Sequence, residues 1–244
     1  MKFAVVGREV EDLKKKIKEN GFEYDKENPE IVICYGGDGT FLISERVYPG
    51  VPKILVKASP VCNKGHEIKI EKVLEKFNKK EFTIQEIKKL KAVYQGSFET
   101  RSLIGVNDIV IRNSLPTEAL RFKIKAKNFN KNFIGDGLVI ATNYGSSQGA
   151  YFYSITRKEF KKGIGIAFNN VTSEQEYKLI SEEDEIEIEI IRGPGVLVAD
   201  NNRDYINLEK GDEIKIFQTN EIAKRFILKW KPKIGKKKVL KKLF

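Results

Sequence analysis

Cysteine is scarce in this sequence, and long apolar runs are lacking. Only two of the 244 residues are cysteines, Cys34 and Cys62, and their spacing matches neither a disulfide framework nor a zinc site. No apolar run reaches the roughly 18 residues that a membrane-spanning helix needs. The start, MKFAVVG, leads directly into a helical pattern with no small-residue cleavage site, so we expect no signal peptide. We therefore expect a cytoplasmic protein with no membrane partner.

Acidic residues are outnumbered by basic ones, 34 against 45, which gives a formal net charge of +11. A basic excess suits anionic partners, namely nucleic acid, a membrane surface or phosphorylated small molecules. The surplus is uneven, because the tail 229–244 contains eight lysines and no acid. We interpret this basic C-terminal tail as a solvated terminus, and the sequence does not favour a nucleic-acid partner.

The first part of the chain alternates strand-like and helix-like patterns. Apolar strands are predicted at KFAVVG (2–7), IVICYG (31–36) and PKILVK (52–57). Helical spacing follows the first of these strands at Val10, Leu13 and Ile17, and follows the third at Ile70, Val73, Leu74 and Phe77. This order of elements predicts a small parallel α/β domain over residues 1–90.

From Thr83 onward, apolar residues mostly alternate with polar ones, which is typical of β-strands. The segment ALRFKIKAKNF (119–129) has a basic face, and DEIEIEIIR (184–192) has an acidic one. The basic face could bind nucleic acid, but pairing with an acidic neighbouring strand is favoured. We predict an α/β plus all-β fold, in which residues 91–244 form a larger, β-rich and sandwich-like domain.

The run Gly36-Gly37-Asp38-Gly39-Thr40 follows a strand and precedes a helix that we predict to begin at Phe41. Three glycines in four positions cost backbone entropy, so something must approach this backbone closely. Such glycines let phosphate groups reach backbone N–H donors, and Asp38 could hold magnesium or accept a proton from an attacking hydroxyl. The alternative is a tight turn with a capping aspartate, for which one or two glycines suffice. We favour phosphate binding.

Two further polar clusters interrupt strand patterns. Asn107-Asp108 falls within IGVNDIVIRN (104–113). Asp136 begins a run to Tyr151 that also contains Thr142, Ser146 and Ser147. Small hydroxyl residues beside an aromatic ring suit a nucleoside, whose base can stack and whose ribose can form hydrogen bonds. Each cluster alone is more often an ordinary polar loop.

Taken in order, the three motifs resemble those of the NAD kinase family, whose GGDGT signature matches residues 36–40. Asn107-Asp108 stands where that family has Asn-Glu. Residues 135–138 resemble its DGL motif, followed at the right distance by Thr142 and Gly145-Ser146-Ser147. Diacylglycerol kinases, sphingosine kinases and phosphofructokinases share the glycine-aspartate core but lack the later run. The family fold has a small α/β domain and a β-rich domain with the active site between them.

The sequence also departs from the family pattern. The family loop reads approximately TPTGSTAYSLSAGGP, whereas Thr142 to Tyr151 reads TNYGSSQGAY, so that two extra residues would align the Ala-Tyr pairs. The Gly-Gly-Pro is replaced by residues 157–163, and the glycine-rich turn after the third strand is replaced by residues 57–62. These substitutions fall mainly on acceptor binding.

The resemblance implies phosphoryl transfer from ATP, or from polyphosphate, to the 2′-hydroxyl of the adenosine ribose of NAD. It implies Asp38 as catalytic base, magnesium ligand or both, with Gly36, Gly37, Gly39 and Thr40 around the phosphates. It implies that Asn107 and Asp108 bind acceptor hydroxyls and that Asp136, Thr142, Ser146, Ser147 and Tyr151 surround the nucleoside. It also implies a homodimer or homotetramer. Two alternatives stay open: a kinase of the same fold with another nucleotide or a lipid headgroup as acceptor, and a non-catalytic dinucleotide sensor.

Overall fold

The computed structural model describes residues 1–60, 62–173 and 177–229. Most of the basic tail 229–244 therefore lies outside the described residues. Within the described part of the chain, no helix is long and apolar enough to cross a membrane.

The N-terminal part is the predicted parallel α/β unit. Its elements are β1 (Lys2–Gly7), α1 (Val10–Glu19), β2 (Glu23–Tyr24), β3 (Ile31–Gly36), α2 (Asp38–Val47), β4 (Lys53–Lys57) and α3 (Ile70–Asn78). The four strands are parallel and lie in the order β2-β1-β3-β4. The predicted strands and helices are confirmed, and only the two-residue strand β2 was not predicted.

The start of α2 differs from the prediction. The helix begins at Asp38, three residues before Phe41, because Gly37 is the N-cap and the second half of the glycine motif forms the first helical turn. The Thr40 hydroxyl accepts a hydrogen bond from the Gly37 N–H at 3.2 Å, which satisfies a donor at the helix end. The motif is therefore both the turn and the beginning of the helix.

The remaining elements are almost all strands. They are β5 (Phe82–Gln95), β6 (Thr100–Gly105), β7 (Asp108–Asn113), β8 (Leu120–Ala126), β9 (Phe129–Gly135), β10 (Gly137–Ala141), a 3-10 turn (Tyr144–Ser146), α4 (Tyr151–Thr156), β11 (Ile164–Asn169), β12 (Lys178–Ile180), β13 (Ile186–Arg192), β14 (Gly195–Ala199), β15 (Ile206–Leu208) and β16 (Glu213–Leu228). Six of these strands form an antiparallel sheet in the order β12-β11-β10-β7-β14-β15. This sheet packs on a ten-stranded sheet through a core that includes Phe122, Phe133 and Ile140, which confirms the sandwich-like, β-rich part.

The last strand joins the two parts of the molecule. β16 pairs with β13 and β5, and it also pairs in parallel with β4 of the N-terminal unit. Phe226 and Leu228 at its end pack in the core of the α/β part. The division at residue 90 stays a prediction, and this residue lies inside β5.

The predicted partner of the basic strand face is confirmed. β8 pairs with β13, which places Lys125 opposite Glu187 and Lys123 opposite Glu189. The Lys125 Nζ lies 2.9 Å from the Glu187 carboxylate. Exposed pairs of this kind contribute little to stability, so the face is a solvated surface of alternating charges.

Candidate functional site

A cleft of about 530 Å³ lies where both parts of the fold meet. Asp38 and Gly39 of α2 form one side of it, together with the Asn107-Asp108 turn between β6 and β7. The segment from Gln148 to Ser154, which includes most of α4, contributes another side. The structure therefore brings the first two predicted motifs together, although Asp38 and Asn107 are far apart in the sequence.

The glycines of the motif have different reasons for being glycine. A Cβ at Gly36 would lie 2.2 Å from the Thr40 Oγ1, so the capping interaction itself excludes a side chain there. A Cβ at Gly37 would meet nothing closer than 3.6 Å, and its backbone (φ −109°, ψ −173°) is open to any residue. The fold therefore does not require glycine at position 37. A ligand that approaches the backbone would be a reason for glycine there.

The Asp38 carboxylate is fixed by the loop that follows β4. Its Oδ2 accepts a hydrogen bond from the Asn63 N–H at 3.0 Å, and its Oδ1 accepts one from the Lys64 N–H at 3.0 Å. The Cys62 thiol donates a weaker contact to Oδ1 at 3.4 Å. Burial and the nearby Asp38 charge raise the pKa of that thiol. Two backbone donors thus hold the carboxylate in one orientation at the edge of the cleft.

Lys64 is a site residue that the sequence did not identify. Its Nζ donates to the Tyr144 carbonyl at 2.9 Å and to the Asn107 Oδ1 at 3.3 Å, and it lies 4.0 Å from the centre of the Tyr144 ring. Burial lowers the pKa of Lys64 to about 8, although the nearby carboxylates, first among them Asp38, oppose this shift. One lysine among 45 basic residues gives no signal in a sequence.

Asp108 is the first residue of β7, and only 3% of it is exposed. No hydrogen bond from a described residue reaches its carboxyl group. Burial, and then the charge of Asp200, raise the pKa of Asp108 to about 8. A carboxyl group that is buried without a partner costs free energy, and a ligand that supplies one would recover it.

Asp200 is the second residue that sequence analysis missed. It follows β14 with a left-handed backbone (φ 51°), and its carboxylate accepts hydrogen bonds from the N–H groups of Val106, Asn107 and Asp108 at 2.8, 2.7 and 3.1 Å. Burial raises the pKa of Asp200, and these three backbone donors oppose the increase. Asp200 therefore shapes the turn that presents Asn107 and Asp108.

The predicted hydroxyls of the third motif are used within the loop itself. Thr142 is fully buried, and its Oγ1 donates to the Val106 carbonyl at 2.7 Å. The Ser146 Oγ donates to the Asn143 carbonyl at 2.8 Å, and the Ser147 Oγ donates to the Tyr144 carbonyl at 2.9 Å. Their contact with a ligand stays a prediction. Of the predicted residues in this loop, Tyr151 lines the cleft, and 60% of it is exposed.

Asp136 lies away from the cleft. It precedes β10, whose first residue, Gly137, pairs with Arg112, whereas Ala141 at the other end pairs with Asp108. The four residue steps between these ends span roughly 13 Å. The Asp136 carboxylate accepts a hydrogen bond from the Asn170 side chain at 3.2 Å. Within one chain, Asp136 therefore does not join the other predicted site residues.

No protein-family model matches the chain. It is 34% identical over 163 residues to an NAD kinase of Sulfurisphaera tokodaii, which covers 64% of this chain and 62% of that protein. It is 28% identical over 136 residues to an NAD kinase of Clostridium kluyveri, which covers 51% and 46%. An NAD kinase of Picrophilus torridus is 26% identical over 221 residues, which cover 88% and 79%. The chain thus spans less than two thirds of the first two relatives.

Solved structures share the fold. An NAD kinase from Archaeoglobus fulgidus in complex with ATP superposes with a TM-score of 0.78 over 94% of both chains, at 19% identity. A yeast NADH kinase complexed with NADH superposes with a TM-score of 0.74 over 86% of this chain and 68% of its own, at 16% identity. The chain is thus similar in sequence to NAD kinases over part of its length, and it shares the fold of these two solved structures.

Proposed function

We propose that this protein is a kinase that transfers a phosphoryl group from ATP to the 2′-hydroxyl of the adenosine ribose of NAD, giving NADP. The observation that carries the proposal is the cleft in which Asp38, fixed by two backbone N–H groups, shares one wall with Asn107 and Asp108. The names of the sequence relatives support the reaction, and the ATP complex of the Archaeoglobus protein supports ATP in preference to polyphosphate.

The acceptor ribose would bind at the Asn107-Asp108 turn. Lys64 donates to the Asn107 side-chain oxygen, while no described residue accepts a hydrogen bond from the Asn107 Nδ2. This arrangement leaves an amide donor beside a carboxyl group that has no hydrogen-bond donor among the described residues. A ribose diol can use both, because each hydroxyl donates and accepts.

Asp38 would be the catalytic base. Phosphoryl transfer needs little covalent assistance, so catalysis depends on placing the hydroxyl in line with the phosphate and on balancing charge. A carboxylate held by fixed donors can accept the proton of the attacking hydroxyl without reorganising. Gly37, where an added Cβ would meet nothing closer than 3.6 Å, would let the donor phosphates reach the backbone N–H groups at the start of α2.

A magnesium ion would accompany the nucleotide. The described residues contain no group of three or more His, Cys, Asp or Glu side chains that could hold a metal by themselves. Magnesium usually binds through one or two carboxylates together with substrate phosphates and waters, and Asp38 at the cleft wall fits this donor set. When bound, the ion would neutralise phosphate charge. Asp38 would hold it while the backbone N–H groups of Asn63 and Lys64 fix the carboxylate.

We also propose a homodimer or homotetramer in the cytoplasm. Asp136 is remote from the cleft of its own chain, which is consistent with a site completed across subunits. Sedimentation of the purified protein measures the assembly directly, and a monomer at all concentrations would contradict it.

The proposal is tested by incubating the protein with ATP, magnesium and a panel that contains NAD, NADH, other nucleotides and lipid headgroups, and by detecting products by mass. NADP is the expected product. Asp38→Asn should reduce turnover at least about a hundredfold with the fold intact. Phosphorylation of another panel member instead of NAD would favour the second candidate, a kinase with a different acceptor, which the altered loop 142–151 supports. Binding without any product would indicate a sensor.

A further inference from the structure

The two sides of the cleft carry different chemistry. Asp38, Asp108 and Asp200 place carboxyl groups on one side, whereas α4 and the residue after it present Tyr151 and Arg157 on another. Of the described residues that line the cleft, Arg157 is the only one with a cationic side chain. The ammonium of Lys64 is already bonded behind Asn107. A polyanionic ligand that enters the cleft therefore meets one available cation.

The backbone fixes where Arg157 lies. It follows the last residue of α4 in a left-handed conformation (φ 56°), and its N–H donates to the Tyr153 carbonyl at 2.8 Å. The guanidinium carbon is 6.0 Å from the centre of the Tyr153 ring, and Tyr153 also lines the cleft. The ring and the guanidinium group thus form one continuous part of the cleft surface.

The Arg157 side chain is exposed and makes no ion pair with a described carboxylate. It is therefore not needed to balance a protein charge or to fill the core. A guanidinium group offers a planar set of donors that matches phosphate oxygens in pairs. In the sequence, Arg157 begins the segment that stands in place of the Gly-Gly-Pro typical of the family loop. The departure from the family pattern therefore adds a cation to the cleft.

We propose that Arg157 binds phosphate groups of the nucleotide in this cleft and determines affinity for the phosphorylated ligand. The inference deepens the proposed function and rests on it for the class of ligand. The guanidinium group would take phosphate oxygens on the α4 side, while the opposite side takes the ribose hydroxyls. Because the Asp38 carboxylate on the opposite side repels phosphates, this single cation would have a large effect on binding.

The experiment compares Arg157→Ala and Arg157→Lys with Lys158→Ala, a matched change of the neighbouring exposed lysine that does not line the cleft. Binding of NAD and of ADP is measured separately by calorimetry at low and at high salt. We expect Arg157→Ala to weaken at least one of these ligands by about tenfold or more at low salt. Arg157→Lys should retain part of the affinity, and Lys158→Ala should retain all of it. The ligand that is weakened identifies which nucleotide supplies the phosphates.

The loss should become smaller as salt rises, because screening weakens the parent's ionic contact. The proposal is overturned if Arg157→Ala binds both NAD and ADP within about twofold of the parent, or if its loss does not depend on salt. Circular dichroism confirms that the variants are folded, which the exposed position leads us to expect. If the parent yields no NADP but Arg157→Ala still weakens nucleotide binding, the proposed function fails and this inference stands.

Discussion

The Lys64 ammonium donates a hydrogen bond to the Asn107 side-chain oxygen at 3.3 Å, across the boundary between the α/β and β-rich parts. The backbone N–H of the same lysine donates to the Asp38 carboxylate at 3.0 Å. One residue of the loop after β4 thus fixes both the proposed base and the proposed acceptor ligand. This loop is where the sequence lacks the family's glycine-rich turn.

Lys64→Met should weaken NAD binding by about tenfold, since it removes a charged hydrogen bond that orients the Asn107 amide. The Asp38 contact uses the backbone and should persist, so ATP affinity should change much less. Calorimetric titration of both nucleotides measures the difference. Lys57→Met, which removes an ion pair with Glu67 on the surface, is the control and should change neither affinity. Unchanged NAD affinity in a folded Lys64→Met protein would contradict this role.

The fold was largely predictable because its elements bury one face. Val10, Leu13 and Ile17 follow a helical period, and the alternation in 119–129 and 184–192 matches strands β8 and β13, which are neighbours in the sheet. The path of β16 was not predictable, since an alternating pattern gives no information about which strand it pairs with. It pairs with β13, which is close to it in sequence, and also with β5 and β4, which are both far from it.

The site was predictable only where a motif marks it. Asp38 and the Asn107-Asp108 pair break strand patterns, and the structure brings them to one cleft. Lys64 and Asp200 follow no motif, because their importance comes from contacts between loops that only the fold creates. Thr142 and Ser146 are the opposite case, because they belong to a motif but their hydroxyls form hydrogen bonds to backbone carbonyls inside the structure. Small polar residues can either bind a ligand or supply the hydrogen bonds that a buried loop needs, and the sequence does not distinguish these uses.

The first two glycines of the motif should respond differently to alanine. Gly36→Ala should destabilise the fold by roughly 1–3 kcal/mol, because the new Cβ would meet the Thr40 hydroxyl that caps α2. Gly37→Ala should leave stability nearly unchanged and should weaken ATP binding if phosphates approach there. Denaturant unfolding and ATP titration of both variants measure the two effects. Equal stability losses in the two variants, or full ATP affinity in Gly37→Ala, would show that ligand binding does not require glycine at position 37.

Asp108 should make stability depend on pH. Its pKa is raised from 3.8 to about 8 in the folded protein, so the native state holds a proton that the unfolded chain releases once the pH exceeds 3.8. Unfolding then releases a proton in this window, and the free energy of unfolding contributed by Asp108 falls as pH rises from about 4 to about 8. Asp108→Asn removes this dependence, so its stability relative to the parent should increase by more than about 1 kcal/mol between about pH 5 and pH 7.

Urea unfolding at these two pH values measures the effect on the parent and on Asp108→Asn. Glu189→Gln, a change of an exposed carboxylate on the outer sheet face, is the matched control and should show no such trend. If the difference between the parent and Asp108→Asn were independent of pH, the Asp108 carboxyl group would not be protonated in the folded protein at neutral pH.

Glu45 should be among the charged residues on which stability depends most. It lies on α2, the helix that begins with Asp38, and only 3% of it is exposed. Its carboxylate lies 2.5 Å from the Nζ of Lys53 and 2.7 Å from that of Lys89, and both lysines are buried. Burial lowers the pKa of Lys53, and the Glu45 charge opposes this shift. One carboxylate therefore contacts two buried cations, of which Lys89 also pairs with the exposed Glu221 at 3.6 Å.

Removing the negative charge of Glu45 leaves the ammonium groups of Lys53 and Lys89 buried without this carboxylate. Glu45→Gln should therefore lower the free energy of unfolding by roughly 3 kcal/mol or more. Replacing Glu45, Lys53 and Lys89 together by Met should cost less than Glu45→Gln alone, because no buried charge remains. Denaturant unfolding measures both variants, with Glu27→Gln on the exposed surface as control. A loss below about 1 kcal/mol in Glu45→Gln would mean that water reaches the two lysines.

Below the unfolding transition, turnover per folded molecule should stay close to that of the parent, because the Asn63 and Lys64 N–H groups still fix Asp38 at the other end of the helix.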